Sequence, residues 1–279
     1  MQTETELDKQ IVEIKPASGW EMIDFSELWR YRDLFFFLVW RDIKVLYAQT
    51  IMGFGWAILQ PLIQIAIFTI IFGKVASVPT DGIPYIVFSA VAIIPWTYMS
   101  SAMSSSSMSL VSGQGMLGKV YFPRIIFPLT AVLTKLVDFI ISLVIIIVIM
   151  LYYQISPTAN MLYLPIFLIF MAAVPASIGI WLSALSIRYR DVKFANQFGI
   201  RMLMYSAPIV YSASSIPEVY RFIYSLNPIV GVIEGFRSCL LGGDFQWQYI
   251  IPGMIVTLLI LVSGIIYFKK MEKVFVDVI

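Results

Sequence analysis

Histidine is absent from this 279-residue chain, and cysteine occurs once, as Cys239. The first absence removes the side chain most used near neutral pH as a general base and metal ligand. The second excludes an internal disulfide and any cysteine metal cluster. Charge is scarce as well: Asp, Glu, Lys and Arg make up 13% of the chain, where a soluble domain carries about 25%. Paired carboxylates, a nucleophile beside a base and a metal-ligand cluster all fail to assemble from what remains, so no catalytic or metal site is expected. The net charge of +2 excludes little by itself, and nothing in its distribution suggests nucleic acid.

What is present is apolar. Hydrophobic residues form 59% of the sequence and the mean hydropathy is +0.86. Runs of about 20 apolar residues cross a bilayer as helices. The sequence predicts an all-α polytopic membrane protein with six such helices, at 54–73, 84–110, 125–153, 161–186, 195–213 and 249–268. The second run is long for a perpendicular helix and Pro95 is expected to kink it. Its later half, SSAMSSSSMS (100–109), consists of small polar residues that allow close helix approach or line a wet cavity. Residues 214–248, between the last two runs, read as two short helices broken at Asn227-Pro228 and closed by Gly242-Gly243. They are expected to re-enter the membrane or cap a pore on the outer side. Residues 1–25 carry six acidic and two basic side chains and read as a cytoplasmic tail, not a cleaved signal.

Residues 26–50 precede the first crossing as an amphipathic helix. Arg30, Arg32, Arg41 and Lys44 with flanking Trp29 and Trp40 suit a helix lying in the headgroup layer, where the bases attract anionic lipid or another anionic headgroup. Basic residues sort to one side of the predicted helices: this segment, Lys119 and Arg124, then Arg188, Arg190 and Lys193, and finally residues 269–279 with Lys269, Lys270 and Lys273. The positive-inside rule makes that side cytoplasmic and places both termini there. GQGMLGKV (113–120) imitates a phosphate-binding loop, but Val120 stands where Ser or Thr belongs and no strand precedes it. It reads as a turn between two crossings. Tyr121 and Phe122, on the same loop, are expected to be exposed, facing a protein partner or the headgroup belt. Lys135 and Asp138, three apart within a crossing, make either a neutralised pair or a proton relay. Glu234 and Arg237 repeat that spacing as a solvated pair or a polar gate. Trp96, Tyr98, Tyr205 and Tyr211, with Ser101 and Ser105, are candidates to line a path; anchoring at the interface is the alternative use of such rings.

Five segments then resemble, in order, one known family: VWRDIKVLYAQTIMGFGWAILQP (39–61), LGKVYFPRIIFP (117–128), IRYRDV (187–192), LNPIVGVIEGFRSCLLG (226–242) and FKKMEKVFVDVI (268–279). The chain resembles the transmembrane subunit of type-2 ABC exporters for lipid-linked polysaccharide, such as the O-antigen and capsule permeases. The resemblance implies a homodimer in the bacterial inner membrane, joined by two copies of a separate ATPase that binds ATP and magnesium, with no cofactor on this chain. Lys119, Tyr121, Phe122, Pro123 and Arg124, with Arg188, Arg190 and Asp191, would receive the ATPase stroke. Asn227, Pro228, Glu234 and Arg237 would belong to an outer gate. The cargo would be a polymer on an undecaprenyl diphosphate carrier.

Overall fold

The structure, a computed structural model, describes residues 25–48, 50, 52–119 and 121–272. The tail expected over 1–25, apart from Phe25, lies outside the described residues, as do Val120 and the carboxyl end from Lys273.

Two helices precede the first long one: α1 (Phe25–Arg30) and α2 (Arg32–Tyr47). After them come α3 (Gly55–Phe68), prolonged by a π-helical stretch over Thr69–Val75, α4 (Tyr85–Ser112), the single turn α5 (Gln114–Leu117) and α6 (Ile126–Tyr152). The chain continues with α7 (Leu164–Arg188), α8 (Val192–Tyr205), α9 (Glu218–Ser225), α10 (Pro228–Leu241) and α11 (Trp247–Glu272). Among the described residues five helices are long and apolar enough to cross a bilayer: α3 with its extension, α4, α6, α7 with the 3-10 turn before it, and α11. The protein is a multi-pass membrane protein.

The predicted fifth crossing, 195–213, is the exception. Its helix, α8, ends at Tyr205, giving about 21 Å at 1.5 Å per residue where a core of about 30 Å must be crossed. Pro208 is the reason: it has no N–H to donate and disfavours helical backbone at Ala207. The chain nevertheless covers the length of α4. Asn196 Nδ2 donates to Ser107 Oγ at 2.7 Å, near one end of α4. At the other end, Tyr85 donates to the Val210 carbonyl at 2.9 Å and Ser212 donates to Asp81.

α4 is the centre of the bundle. It packs along α6 and α7, and 78% of its most apolar stretch is buried, against 11% for the first long helix. The small residues foreseen in its later half are what permit this. A Cβ on Gly179 of α7 would lie 2.1 Å from Ser106 Oγ, so these two helices approach to backbone distance there. α10 is buried on every side from Pro228 to Leu240. Asn227 caps it by accepting from the Ile229 N–H, and Gly242, at φ +78°, ends it in the left-handed conformation. Two apolar clusters result. The larger surrounds α4, α7 and α10; the smaller lies at the end of the bundle where α1 and α2 pack, called here the near end.

Candidate functional site

At the near end three distant parts of the chain meet. The Tyr121 hydroxyl, from the loop between α5 and α6, approaches a Glu27 carboxylate oxygen of α1 at 3.5 Å. Arg124, on the same loop, donates through Nη1 to the Glu272 carbonyl at 3.1 Å and through its backbone N–H to the Glu272 carboxylate at 3.4 Å. Burial, with the charges of Glu27 and Glu272, pushes the Tyr121 phenol above its usual range. Tyr121 is exposed as expected, but Phe122 is not: it is 3% exposed, its ring 5.5 Å from that of Phe127 within the smaller cluster. That burial anchors the loop, and Pro123, half-buried, continues it. Lys119 remains exposed. Arg188, Arg190 and Asp191 lie exposed between α7 and α8, at the same end, because Ala184 and Ile187 pack into that cluster. The imitation phosphate loop folds as helical turns. The N–H groups of Met116 and Leu117 donate to the Gly113 carbonyl, and that of Lys119 to the Met116 carbonyl.

The basic helix is more committed to the bundle than its composition suggested. Leu38 is fully buried in the smaller cluster. Arg41 is held by Asp42 at 2.8 Å, and Arg32 pairs loosely with Asp33 at 3.7 Å and sits over Trp29. Arg30 and Lys44 are exposed, with Lys44 over the Trp40 ring. At the end of α2 the Tyr47 hydroxyl donates to Asp138 of α6. Asp138 lies twelve residues beyond Ile126, about 18 Å along α6 at the helical rise, so α2 leans along α6.

Around this junction is a cavity of about 250 Å³ between α3, α4 and α6, walled in part by Tyr47, Gln60, Thr97, Tyr98, Ser101 and Lys135. Lys135 Nζ stands 3.6 Å from Asp138, so the acid has a cation on its own helix and a phenol from α2. Burial, then the bond to Asp138 and its charge, push the Tyr47 phenol up and keep it a donor. Ser142 Oγ donates to the Ala57 carbonyl at 2.8 Å, tying the start of α3 to α6 as well.

Towards the far end Glu234 and Arg237 are neither a solvated pair nor at the surface. Arg237 Nη1 donates to Glu234 at 2.7 Å, with side chains 8% and 11% exposed. Nη2 donates to the Pro208 carbonyl at 2.6 Å, and the guanidinium lies 3.6 Å over the Phe88 ring. The pair thus holds the non-helical stretch after α8 against α4 and α10. Asn227 Nδ2 reaches Ser206 at 3.2 Å and adds to the same hold. Pro228 starts α10 and is buried.

The candidate path-lining residues divide. Trp96 and Tyr98 are each 3% exposed within the larger cluster, facing protein on nearly every side. Tyr98 reaches only the small cavity, together with Ser101; Ser105 is half-buried. Tyr205 is 69% exposed, and Tyr211 donates to its carbonyl at 3.3 Å.

Comparison with known proteins gives this arrangement its relatives. The ABC-2 type transporter family matches residues 33–241, three quarters of the chain and every element from α2 to α10. The chain belongs to that family. It is 26% identical over 248 residues to an O-antigen export system permease protein RfbA of Klebsiella pneumoniae, covering 88% of this chain and 95% of the relative. A protein of the same name from Myxococcus xanthus is 24% identical over 214 residues, 76% of this chain and 82% of that one. The polysialic acid transport protein KpsM of Escherichia coli is 23% identical over 245 residues, 84% and 91% of the two chains.

Within this ABC-2 chain four participants were not evident from the sequence. Tyr47 lies within the 39–61 segment but carries no chemical pattern there, and gains its meaning only from the lean of α2. Phe88 and the Pro208 carbonyl complete the surroundings of Arg237, and only the helix-stopping proline left a trace in the sequence. Arg201 was passed over inside an apolar run, although a charge there is a signal in itself.

Proposed function

We propose that this chain is the membrane subunit of an ATP-driven exporter of lipid-linked polysaccharide, O-antigen-like in the first instance. One observation carries the reading: the alignment with an O-antigen export permease runs through 88% of this chain and 95% of the relative. In this reading two copies form the permease in the bacterial inner membrane and two copies of a separate ATPase dock at the near end, which faces the cytoplasm. ATP and magnesium belong to that partner. The basic residues sorted to the near end support the orientation.

The chain crosses six times, the fifth crossing being α8 completed by the non-helical stretch from Ser206 to Ser212. Non-helical backbone at that depth needs protein around it, and the Arg237, Tyr85 and Asn227 contacts supply it. The stroke enters through Tyr121, Arg124 and the Arg188–Asp191 turn, and reaches α2 through the shared apolar cluster. α9 and α10 form the outer gate, with the Glu234–Arg237 pair as its fixed post. The cargo moves on an undecaprenyl diphosphate carrier.

The test is genetic and biochemical together. Deleting the gene should leave the polymer inside the cell, and restoring it with its ATPase should return the polymer to the surface. The purified chain should bring down an ATPase yet hydrolyse no ATP alone. Surface polymer unchanged by the deletion would refute the reading. A capsular polymer is the second reading, favoured by the alignment with KpsM, and the composition of the retained polymer decides between them.

A further inference from the structure

The exposed side of α8 includes Phe194, Gln197, Phe198, Arg201, Met202 and Tyr205. Positions 194, 198, 201 and 205 are spaced four, three and four apart, so they share one helical face. The depth of Arg201 follows from its neighbours. Asn196 bonds to Ser107, five residues before the end of α4, and Arg201 lies five residues further along α8. At 1.5 Å per residue it stands about 15 Å from the near end of α4. A hydrocarbon layer of about 30 Å centred on that helix would contain it.

No ion pair or hydrogen bond to Arg201 occurs among the described residues. The acid at comparable depth is already committed, Asp138 to Lys135 and Tyr47, as is the buried acid nearer the far end, Glu234 to Arg237. Among the described residues a second copy of the chain brings the same committed acids at that depth and so offers no symmetric counterion there. A guanidinium at that depth does not face lipid tails uncompensated. Its planar fork matches a phosphate with two parallel bonds. Apart from Gln197, one turn before Arg201, its exposed neighbours Phe194, Phe198, Met202 and Tyr205 are apolar or aromatic, which suits an amphiphile better than a freely hydrated inorganic anion.

We propose that Arg201 binds the phosphate headgroup of a membrane lipid, with Phe198 and Tyr205 one turn to either side receiving its less polar parts. The binding stands on the charge inventory of α8 and its surroundings. Its place in transport rests on the exporter reading, in which this phosphate is the anionic end of the carrier.

The experiment uses the full chain in neutral-lipid nanodiscs and a long-chain polyprenyl monophosphate as probe, with retention measured by native mass spectrometry. Arg201→Gln should reduce retention at least about tenfold, the effect of losing one charge-assisted contact. Arg201→Lys should keep part of it, and Lys74→Gln, at the far end, all of it. Excess inorganic phosphate should not displace the probe. Equal retention by Arg201→Gln overturns the site. Equal loss in Lys74→Gln overturns its specificity, and displacement by inorganic phosphate overturns the lipid source. Melting temperature separates unfolding from loss of contact, and Arg201→Lys provides the second variant. A wild-type complex that binds the probe at Arg201 but exports no polymer would count against the exporter reading alone.

Discussion

Arg237 is a side chain whose removal should cost this structure heavily, because it is buried with both an acid and a carbonyl on it. Buried ion pairs are poor sources of net stability, but breaking one strands the other charge at a cost of about 3–5 kcal/mol. Glu234 would be stranded inside α10, and the Pro208 carbonyl would lose its donor. Arg237→Met is expected to destabilise the protein by about that amount, read as the unfolding midpoint in detergent. Glu234→Met with Arg237→Met should recover part of it, since no charge is then left alone. A double variant no more stable than the single would contradict the account. The Tyr47–Asp138 contact predicts the opposite asymmetry. Tyr47→Phe leaves Asp138 compensated by Lys135, so the loss should stay at about 1.5–3 kcal/mol, one hydrogen bond to a charged acceptor. Asp138→Ala strands Lys135 and should cost more. Its two side chains keep some exposure, 19% and 29%, so the loss should fall below that of a fully buried pair. Comparable midpoints for the two variants would count against a shared anchor.

Helices report their packing more plainly than single residues do. α4 and α7 touch where Ser106 meets Gly179, and an added Cβ would overlap both Oγ and Cβ of the serine. Gly179→Ala should force the helices apart at about 1–3 kcal/mol. Ser106→Gly in the same chain should relieve it, despite loss of the Ser106 bond to the Pro128 carbonyl. Additive losses in that double-mutant cycle would mean the helices are not in contact there. Close approach of this kind was one of the two uses that the serine-rich run 100–109 suggested, the other being the lining of a wet cavity, and Ser106 against Gly179 shows the first. The five long helices were legible too, because an apolar run of bilayer length is hard to mistake, and α4 begins at Tyr85 where residue 84 was expected. The helix of the fifth predicted crossing ends earlier than expected, at Tyr205, because apolar composition runs on past it while the proline at 208 stops the helix. The burial of the Glu234–Arg237 pair was hidden for a different reason. The i, i+3 spacing of Glu234 and Arg237 was visible, but the same spacing serves a solvated helix and a self-neutralised buried one. Nothing in it reveals the Phe88 ring or the Pro208 carbonyl that make burial tolerable. The π-helical extension over Thr69–Val75 left no pattern that would distinguish it from α-helix.

The whole molecule presents two unlike outward faces. Ile140, Val144, Ile147, Val148 and Leu151 of α6 are exposed and wholly aliphatic, which is what lipid tails accept. α8 exposes rings, Met202, Gln197 and Arg201, which lipid accepts poorly. In the proposed homodimer, this difference would put α6 against the bilayer and α8 on a hydrated surface between copies, with the path along α8. Exposed apolar area alone does not discriminate, because tails and a second copy are equally apolar solvents for it; the discriminating residues are the polar ones among them. Single cysteines test the assignment, since the native Cys239 is fully buried. A membrane-impermeant thiol reagent on the purified complex should modify Phe198→Cys and leave Ile147→Cys untouched, two positions with similar exposure in the isolated chain, 63% and 55%. Short bifunctional reagents should then join two copies through position 198 and not through 147. If both positions resist the reagent and neither joins copies, α8 lies against lipid and the path runs elsewhere. If 147 joins copies instead, α6 is the dimer face, and the division of the molecule drawn from its charges is inverted.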